Sequence, residues 1–256
     1  MPTRTDAPVG APIWILLQTT DEPAARSFYE RIFGWEGTPA DPGYGGYFTF
    51  YRGEDPVAGC SEHEASEPQA DTWATYFASN DAEVTAKAAA AAGAAVLVEP
   101  MQINVQGTMA VVADPGGTAV GIWEPNAHRG FRRFGEPGTP GWFDLETRDY
   151  AVVVEFYRDV LGWTTSVLSD TDEFRYTMLE VGDEQLAGIM DGGGYLAAHA
   201  PTSWTVVFSV EDTDATVDQV LELGGAVQRP AHDSPYGRLA TVEDPMGAKF
   251  ALISGA

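Results

Sequence analysis

The chain has 256 residues, with 38 acidic against 14 basic side chains and a net charge of −24. That balance repels phosphate backbones and anionic bilayers, which excludes nucleic acid and membrane surfaces as natural partners. With 44% hydrophobic and 11% aromatic residues it can build packed cores rather than stay disordered.

In chain order, residues 13–19 alternate and are rich in β-formers, which predicts a strand. Asp21 then caps a helix, whose buried face is expected to carry Ala24, Ala25, Phe28, Ile32 and Phe33 until Gly34 ends it. A hairpin follows, with strands near 47–51 and 57–60. The scheme restarts with a strand over 73–79, a helix from Asp81, a stop at Gly93 and three strands ending at Trp123. Residues 124–141 carry Pro and Gly punctuation without apolar periodicity and read as a linker. Arg129, Arg132 and Arg133 are expected to pin it to acidic surfaces. Cys60 is the single cysteine, so no intrachain disulfide can form. The N-terminus lacks the apolar segment of a leader, and no apolar run approaches the roughly 20 residues of a spanning helix. A cytoplasmic protein is expected.

The second half repeats the first. AARSFYERIFGW at 24–35 returns as VVVEFYRDVLGW at 152–163, and the same offset of 128 relates Trp14 to Trp142 and Asp21 to Asp149. Trp73 and Asp81 return as Trp204 and Asp212, and Asp114-Pro115-x-Gly117 returns as Asp244-Pro245-x-Gly247. The small drift in offset places insertions in loops. The expected organisation is one domain over 1–125, a linker over 126–140 and a second domain over 141–256, with helices in the latter starting at Asp149 and Asp212.

A strand, a helix and three strands, doubled within each half, together with Asp-x6-Phe-Tyr-x4-Gly-Trp and Asp-Pro-x-Gly in both halves, resemble the vicinal oxygen chelate superfamily of glyoxalases, extradiol dioxygenases and bleomycin-resistance proteins. More narrowly, the chain is similar to two-domain actinobacterial members, some of them accessory proteins of anthracycline pathways. The resemblance implies an α+β fold: tandem glyoxalase-like domains, each of two βαβββ modules forming curved mixed sheets around a cleft. It also implies a divalent metal held by His and Glu on four strands. At those positions this chain has Trp14, Gly59, Ala74 and Gly121, and in the second half Trp142, Gly188, Thr205 and Ala251. Trp, Ala and Gly donate nothing to a metal and Thr little. His63, His128, His199 and His232 fall in loop-like segments at unrelated places. No metal and no cofactor are therefore expected.

Strand alternation indicates what faces the cleft instead. Ile15, Leu17, Phe143 and Leu145 point to the helices, as do Trp73 and Trp204. Trp14, Leu16, Gln18 and Trp142, Asp144, Glu146 point the other way. Tyr76, Gly121 and Trp123 share the cleft side, and Tyr47 and Tyr176 are matched candidates on the hairpins. The expected ligand-binding set is Trp14, Gln18, Tyr47, Tyr76, Trp123, Trp142 and Tyr176, suited to stacking a small aromatic molecule. Asp144 and Glu146 are candidates either to meet a cationic amine or to act as acid and base. Two alternatives stand beside this: Trp14 and Trp142 plug the old site as core, and Asp144 and Glu146 merely line the sheet rim. Three functions follow, a binding protein for an aromatic secondary metabolite, a metal-free enzyme, or a metal enzyme with relocated ligands. The chain is expected to be a monomer that is an internal pseudo-dimer, or a homodimer.

Overall fold

The computed structural model describes residues 4–63, 71–181, 184–197 and 202–255. In the first half these form β1 (Pro12–Thr19), α1 (Glu22–Phe33), β2 (Glu36–Gly37), β3 (Phe48–Arg52) and β4 (Asp55–Glu62). The unit then repeats as β5 (Thr72–Ala78), α2 (Ala82–Ala91), β6 (Ala95–Ile103), β7 (Gly107–Ala113) and β8 (Ala119–Pro125). The second half runs β9 (Thr139–Thr147), α3 (Tyr150–Leu161), β10 (Thr164–Asp170), β11 (Arg175–Val181) and β12 (Glu184–Asp191). It ends with β13 (Trp204–Ser209), α4 (Thr213–Glu222), β14 (Ala226–Ser234), β15 (Gly237–Glu243) and β16 (Lys249–Ser254). The expected α+β fold of doubled strand–helix–three-strand modules is present in both halves.

Each half makes one eight-stranded sheet, in the orders β2-β3-β4-β1-β5-β8-β7-β6 and β10-β11-β12-β9-β13-β16-β15-β14. The first strands of the two modules pair antiparallel and join them, β1 with β5 and β9 with β13. Both sheets curl strongly. Asn104, after β6, donates to the hydroxyl of Tyr44, just ahead of β3, although these strands lie at opposite ends of the order. In the second sheet Arg229 of β14 reaches Glu146 of β9 at 3.5 Å. Four strand spacings would separate those strands by about 19 Å on a flat sheet, so each sheet folds over a concave face.

Local chemistry sets the helix ends. The side chains of Asp21, Asp81 and Asp212 accept from Ala24, Val84 and Ala215 N–H at 3.0, 2.9 and 3.0 Å, each satisfying an otherwise orphaned donor. Asp149 holds the N-cap position of α3 but makes no side-chain capping bond. Gly34 and Gly162 end α1 and α3 with φ of 68° and 69°, a left-handed turn natural to glycine. The buried face of α1 is Ala25, Phe28, Tyr29 and Phe33. Ala24 and Ile32 are half-buried, because the face turns toward Tyr29, whose hydroxyl finds a partner in the other half.

That partner is Asp244 of the Asp-Pro-x-Gly loop, which accepts from Tyr29 at 2.9 Å, while Trp73 Nε1 donates to the same hydroxyl at 3.1 Å. The repeat supplies the mirror relay: Trp204 to Tyr157 at 2.8 Å, and Tyr157 to Asp114 at 3.1 Å. Trp35 and Trp163 also cross over, donating to Gly138 O and Gly10 O at 2.8 Å each. Phe33 meets Phe208 at 4.8 Å and Phe77 meets Trp204 at 5.1 Å. The helix-facing sides of the two sheets thus share one aromatic core, back to back, and the concave faces look outward.

The linker is more than a surface tether. Arg129 pairs with Asp6 at 2.9 Å and Arg133 with Asp55 at 2.6 Å, as its charge predicts. It also inserts Phe131, which is 2% exposed and stacks near Phe143. Among the described residues no helix is long and apolar enough to cross a membrane.

Candidate binding cleft

On β9 the alternation holds: Phe143 and Leu145 are buried on the helix side, and Trp142, Asp144 and Glu146 are half-buried on the concave side. The register sets Asp144 beside Gly188 of β12 and Thr205 of β13, and Trp142 beside Val207. Tyr176 leans over Gly188 from β11. A Cβ at position 188 would sit 1.8 Å from the Tyr176 hydroxyl oxygen, so glycine is required for this approach. The Tyr176 hydroxyl donates to Asp144 Oδ1 at 2.5 Å, and Trp142 Nε1 reaches the same oxygen at 2.9 Å and the Tyr176 oxygen at 3.0 Å. Trp142, Asp144 and Tyr176 form a closed hydrogen-bonded triangle on the cleft floor.

Burial is the largest influence on Asp144 and pushes its pKa up to about 6, against the two donors, which pull it down. Glu146 adds to the rise and Arg229 opposes it. Tyr176 is driven far above the usual phenol range, first by burial and then by the Asp144 charge. A carboxyl that exchanges its proton near neutrality, bonded to a phenol that keeps its own, can hold a polar ligand group or transfer a proton.

The mouth of this cleft carries residues that sequence reading missed. Phe174 stacks on Tyr176 at 5.8 Å, Tyr195 lies within electrostatic reach of Glu146, and Tyr236 lies within electrostatic reach of the Tyr176 hydroxyl. Their exposures are 41%, 54% and 56%, high for large rings, so they present an aromatic rim to solvent. Arg229 belongs to the same rim. The available signals were Tyr195 after a glycine run, Phe174 and Tyr236 in turn-like segments and Arg229 on an edge strand, none of which names a cleft.

The first half uses the same scaffold differently. Tyr47 lies over Gly59, and the ring of Tyr76 lies over Gly121, where a Cβ would come within 2.1 Å of it. His128 from the linker enters the concave face, meeting Trp14 edge-on at 4.3 Å and Trp123 at 5.5 Å. Trp123 Nε1 donates to the His128 carbonyl at 3.0 Å. Trp14, Tyr76 and Trp123 are only 5%, 7% and 7% exposed. His128, expected in a surface loop, is instead a plug, and burial lowers its pKa to about 4. Gln18 is half-buried on the concave side of β1, in register with Ser61 and Thr72. Thus Trp14, Tyr76 and Trp123 come together as buried packing in one half, with Tyr47 half-buried over Gly59, while in the other Trp142, Asp144 and Glu146 are half-buried around Tyr176, which is 9% exposed. The pairs differ because Val207 and Ile253 stand in the second half where the first has Tyr76 and Trp123.

The donor set does not fit the superfamily's metal. A divalent ion needs at least three converging donors, and among the described residues no group of three His, Cys, Asp or Glu converges. Tyrosine rings fill the volume that ligands at positions 59, 121 and 188 would need. His63 sits beside Asp71 at 3.2 Å, and His232 is exposed on β14; His199 lies outside the described residues. Cys60 is buried, and burial drives its thiol pKa up, which suits packing rather than nucleophilic chemistry.

A separate groove of about 300 Å³ runs where the two halves meet, beside Phe33, Arg52, Glu211 and Gln219. None of the concave-face residues reaches it.

Comparison with known proteins matches this architecture. The description Glyoxalase/Bleomycin resistance protein/Dioxygenase superfamily fits residues 12–122 and again 139–252. The anthracycline biosynthesis protein DauV of Streptomyces sp. (strain C5) is 37% identical over 95% of this chain and 93% of its own length. The anthracycline biosynthesis protein DnrV of Streptomyces peucetius is 35% identical over the same shares. Among solved structures, the Mn(II)-bound glyoxalase from Novosphingobium aromaticivorans superposes with a TM-score of 0.67 at 18% identity, over 96% of this chain and 82% of that one. The doubled modules, the repeated motifs and these matches across both halves together establish that the chain belongs to the glyoxalase/bleomycin resistance/dioxygenase superfamily.

Proposed function

We propose that the chain binds a planar aromatic metabolite in the cleft of its second half, without a metal, and serves an accessory or catalytic step in the biosynthesis of such a compound. The observation that carries this reading is the Trp142–Asp144–Tyr176 triangle, with Trp142 and Asp144 half-buried and Tyr176 9% exposed under an aromatic rim, at the place where the first half packs Tyr76 and Trp123 with His128. Indole and phenol faces stack on flat ligands, each contact contributing about 1 kcal/mol beyond area burial. Relatives named as anthracycline biosynthesis proteins support a polycyclic aromatic as the ligand class.

Catalysis is a second reading, and one observation favours it: Asp144, held near pKa 6, is poised to take and return a proton. Tyr176 and Trp142 then orient the carboxylate. Asp144→Asn would keep an acceptor for both donors while removing the base, so it separates binding from turnover.

The test is quenching of tryptophan fluorescence by a planar polycycle in protein treated with a chelator. Saturable binding is expected, weakened by Trp142→Ala by about 1–3 kcal/mol, roughly five- to 150-fold. Loss of binding on chelation, or equal affinity in Trp142→Ala, would sink the reading.

A further inference from the structure

Arg229 and Glu146 come from strands separated by three others, β13, β16 and β15, and still meet at 3.5 Å. The pair is therefore a strut across the concave face. Beneath it the sheet carries Thr205 and Val207 of β13, Ala251 of β16 and Thr241 of β15, which are small or β-branched. Among the described residues the first half has no ion pair at this place: Gln18 stands in place of Glu146, Val98 holds the register position of Arg229, and the contact that crosses that sheet is Asn104 to the Tyr44 hydroxyl. The Arg229–Glu146 strut thus belongs to the half in which Val207 and Ile253 stand where the first half has Tyr76 and Trp123.

The pair is weakly held. The Arg229 side chain is 50% exposed and that of Glu146 is 23% exposed, and their contact is long for an ion pair. Exposed pairs of this kind stabilise little, so another cation can replace the guanidinium without large loss. Tyr195 lies within electrostatic reach of Glu146 on the same rim. Asp144 is the less suitable partner for an incoming cation, since its Oδ1 already receives Tyr176 and Trp142. The surrounding field favours a cation as well, because the chain carries a net charge of −24.

We propose that Arg229 is a placeholder for an ammonium group of the ligand, and that Glu146, once released from Arg229, is the residue that selects a cationic aromatic ligand over a neutral one. This rests on the aromatic-binding reading above and adds the charge class and the residue that reads it. The rings lie against Trp142, Tyr176 and the exposed rim, and the amine projects to the mouth, where Glu146 receives it.

Two probes test this: an anthraquinone with an aminoethylamino side chain, and its hydroxyethylamino counterpart. Glu146→Gln is expected to weaken the ammonium probe by about tenfold and leave the neutral probe unchanged. Arg229→Gln is expected to tighten the ammonium probe several-fold by removing the internal competitor, whereas Arg229→Lys, which keeps a competing cation, should bind it as the parent does. Melting curves report whether each variant keeps its fold, and the lysine variant gives the comparison if the glutamine variant does not. If both probes bind but Glu146→Gln affects them equally, or Arg229→Gln weakens the ammonium probe, this inference fails and the aromatic-binding reading stands. If neither probe binds the parent protein, both fail.

Discussion

Asp144 and His128 hold opposite electrostatic positions on the two concave faces. Burial raises the pKa of Asp144 from 3.8 to about 6 and lowers that of His128 from 6.5 to about 4. A histidine with a depressed folded pKa binds fewer protons than the unfolded chain between those values, so its contribution is present above pH 6.5 and is lost as pH falls. The shift corresponds to about 2 kcal/mol lost between pH 7.5 and pH 5. His128→Phe, which keeps a ring against Trp14, should remove that loss. Asp144 acts with the other sign: its raised pKa is a cost at neutral pH that shrinks on acidification. Asp144→Asn should therefore be more stable than the parent at pH 7.5, by an advantage that falls by about 1 kcal/mol at pH 5. Urea unfolding at the two pH values checks both, and a parent-to-variant difference that does not change with pH would contradict the burial of that side chain. The direction of Asp144 toward the cleft was legible from strand alternation. The plug was not, because His128 lies in a segment without periodicity and reaches its place only through the fold of the linker.

The elements explain why the repeated motifs persist. Phe-Tyr on α1 and α3 and Asp-Pro-x-Gly before β8 and β16, the motifs that carry the family resemblance, sit on the helix side and join the halves. Asp244 is 2% exposed and receives Tyr29, and Asp114 is 3% exposed and receives Tyr157. Removing a donor from a buried carboxylate costs about 1–3 kcal/mol. Tyr29→Phe and Tyr157→Phe should each destabilise by that amount in denaturant titration, with little change in ligand affinity, since neither residue touches a cleft. An unchanged midpoint would show that the relays between halves contribute nothing. The repeat, the strand faces and the cap residues were readable because period-2 and period-3.6 patterns are local. Arg229 was not, since its meeting with Glu146 depends on the curl of the sheet, and curl leaves no trace in one strand's sequence.

At the scale of the molecule, duplication produced two equivalent scaffolds that then diverged. Packing the helix sides together buries Trp35, Trp73, Trp163 and Trp204 in one shared core and leaves both concave faces outward. One face closed on Trp14, Tyr76, Trp123 and His128. The other kept a polar triangle with smaller neighbours. This asymmetry is the central claim, and binding stoichiometry tests it most directly. Isothermal titration of the chelator-treated chain with a planar aromatic amine should give one site per chain, lost or weakened at least fivefold in Trp142→Ala and unchanged in Trp123→Phe. Two sites per chain, or a single site weakened by Trp123→Phe and indifferent to Trp142→Ala, would place the ligand in the first half and contradict the account.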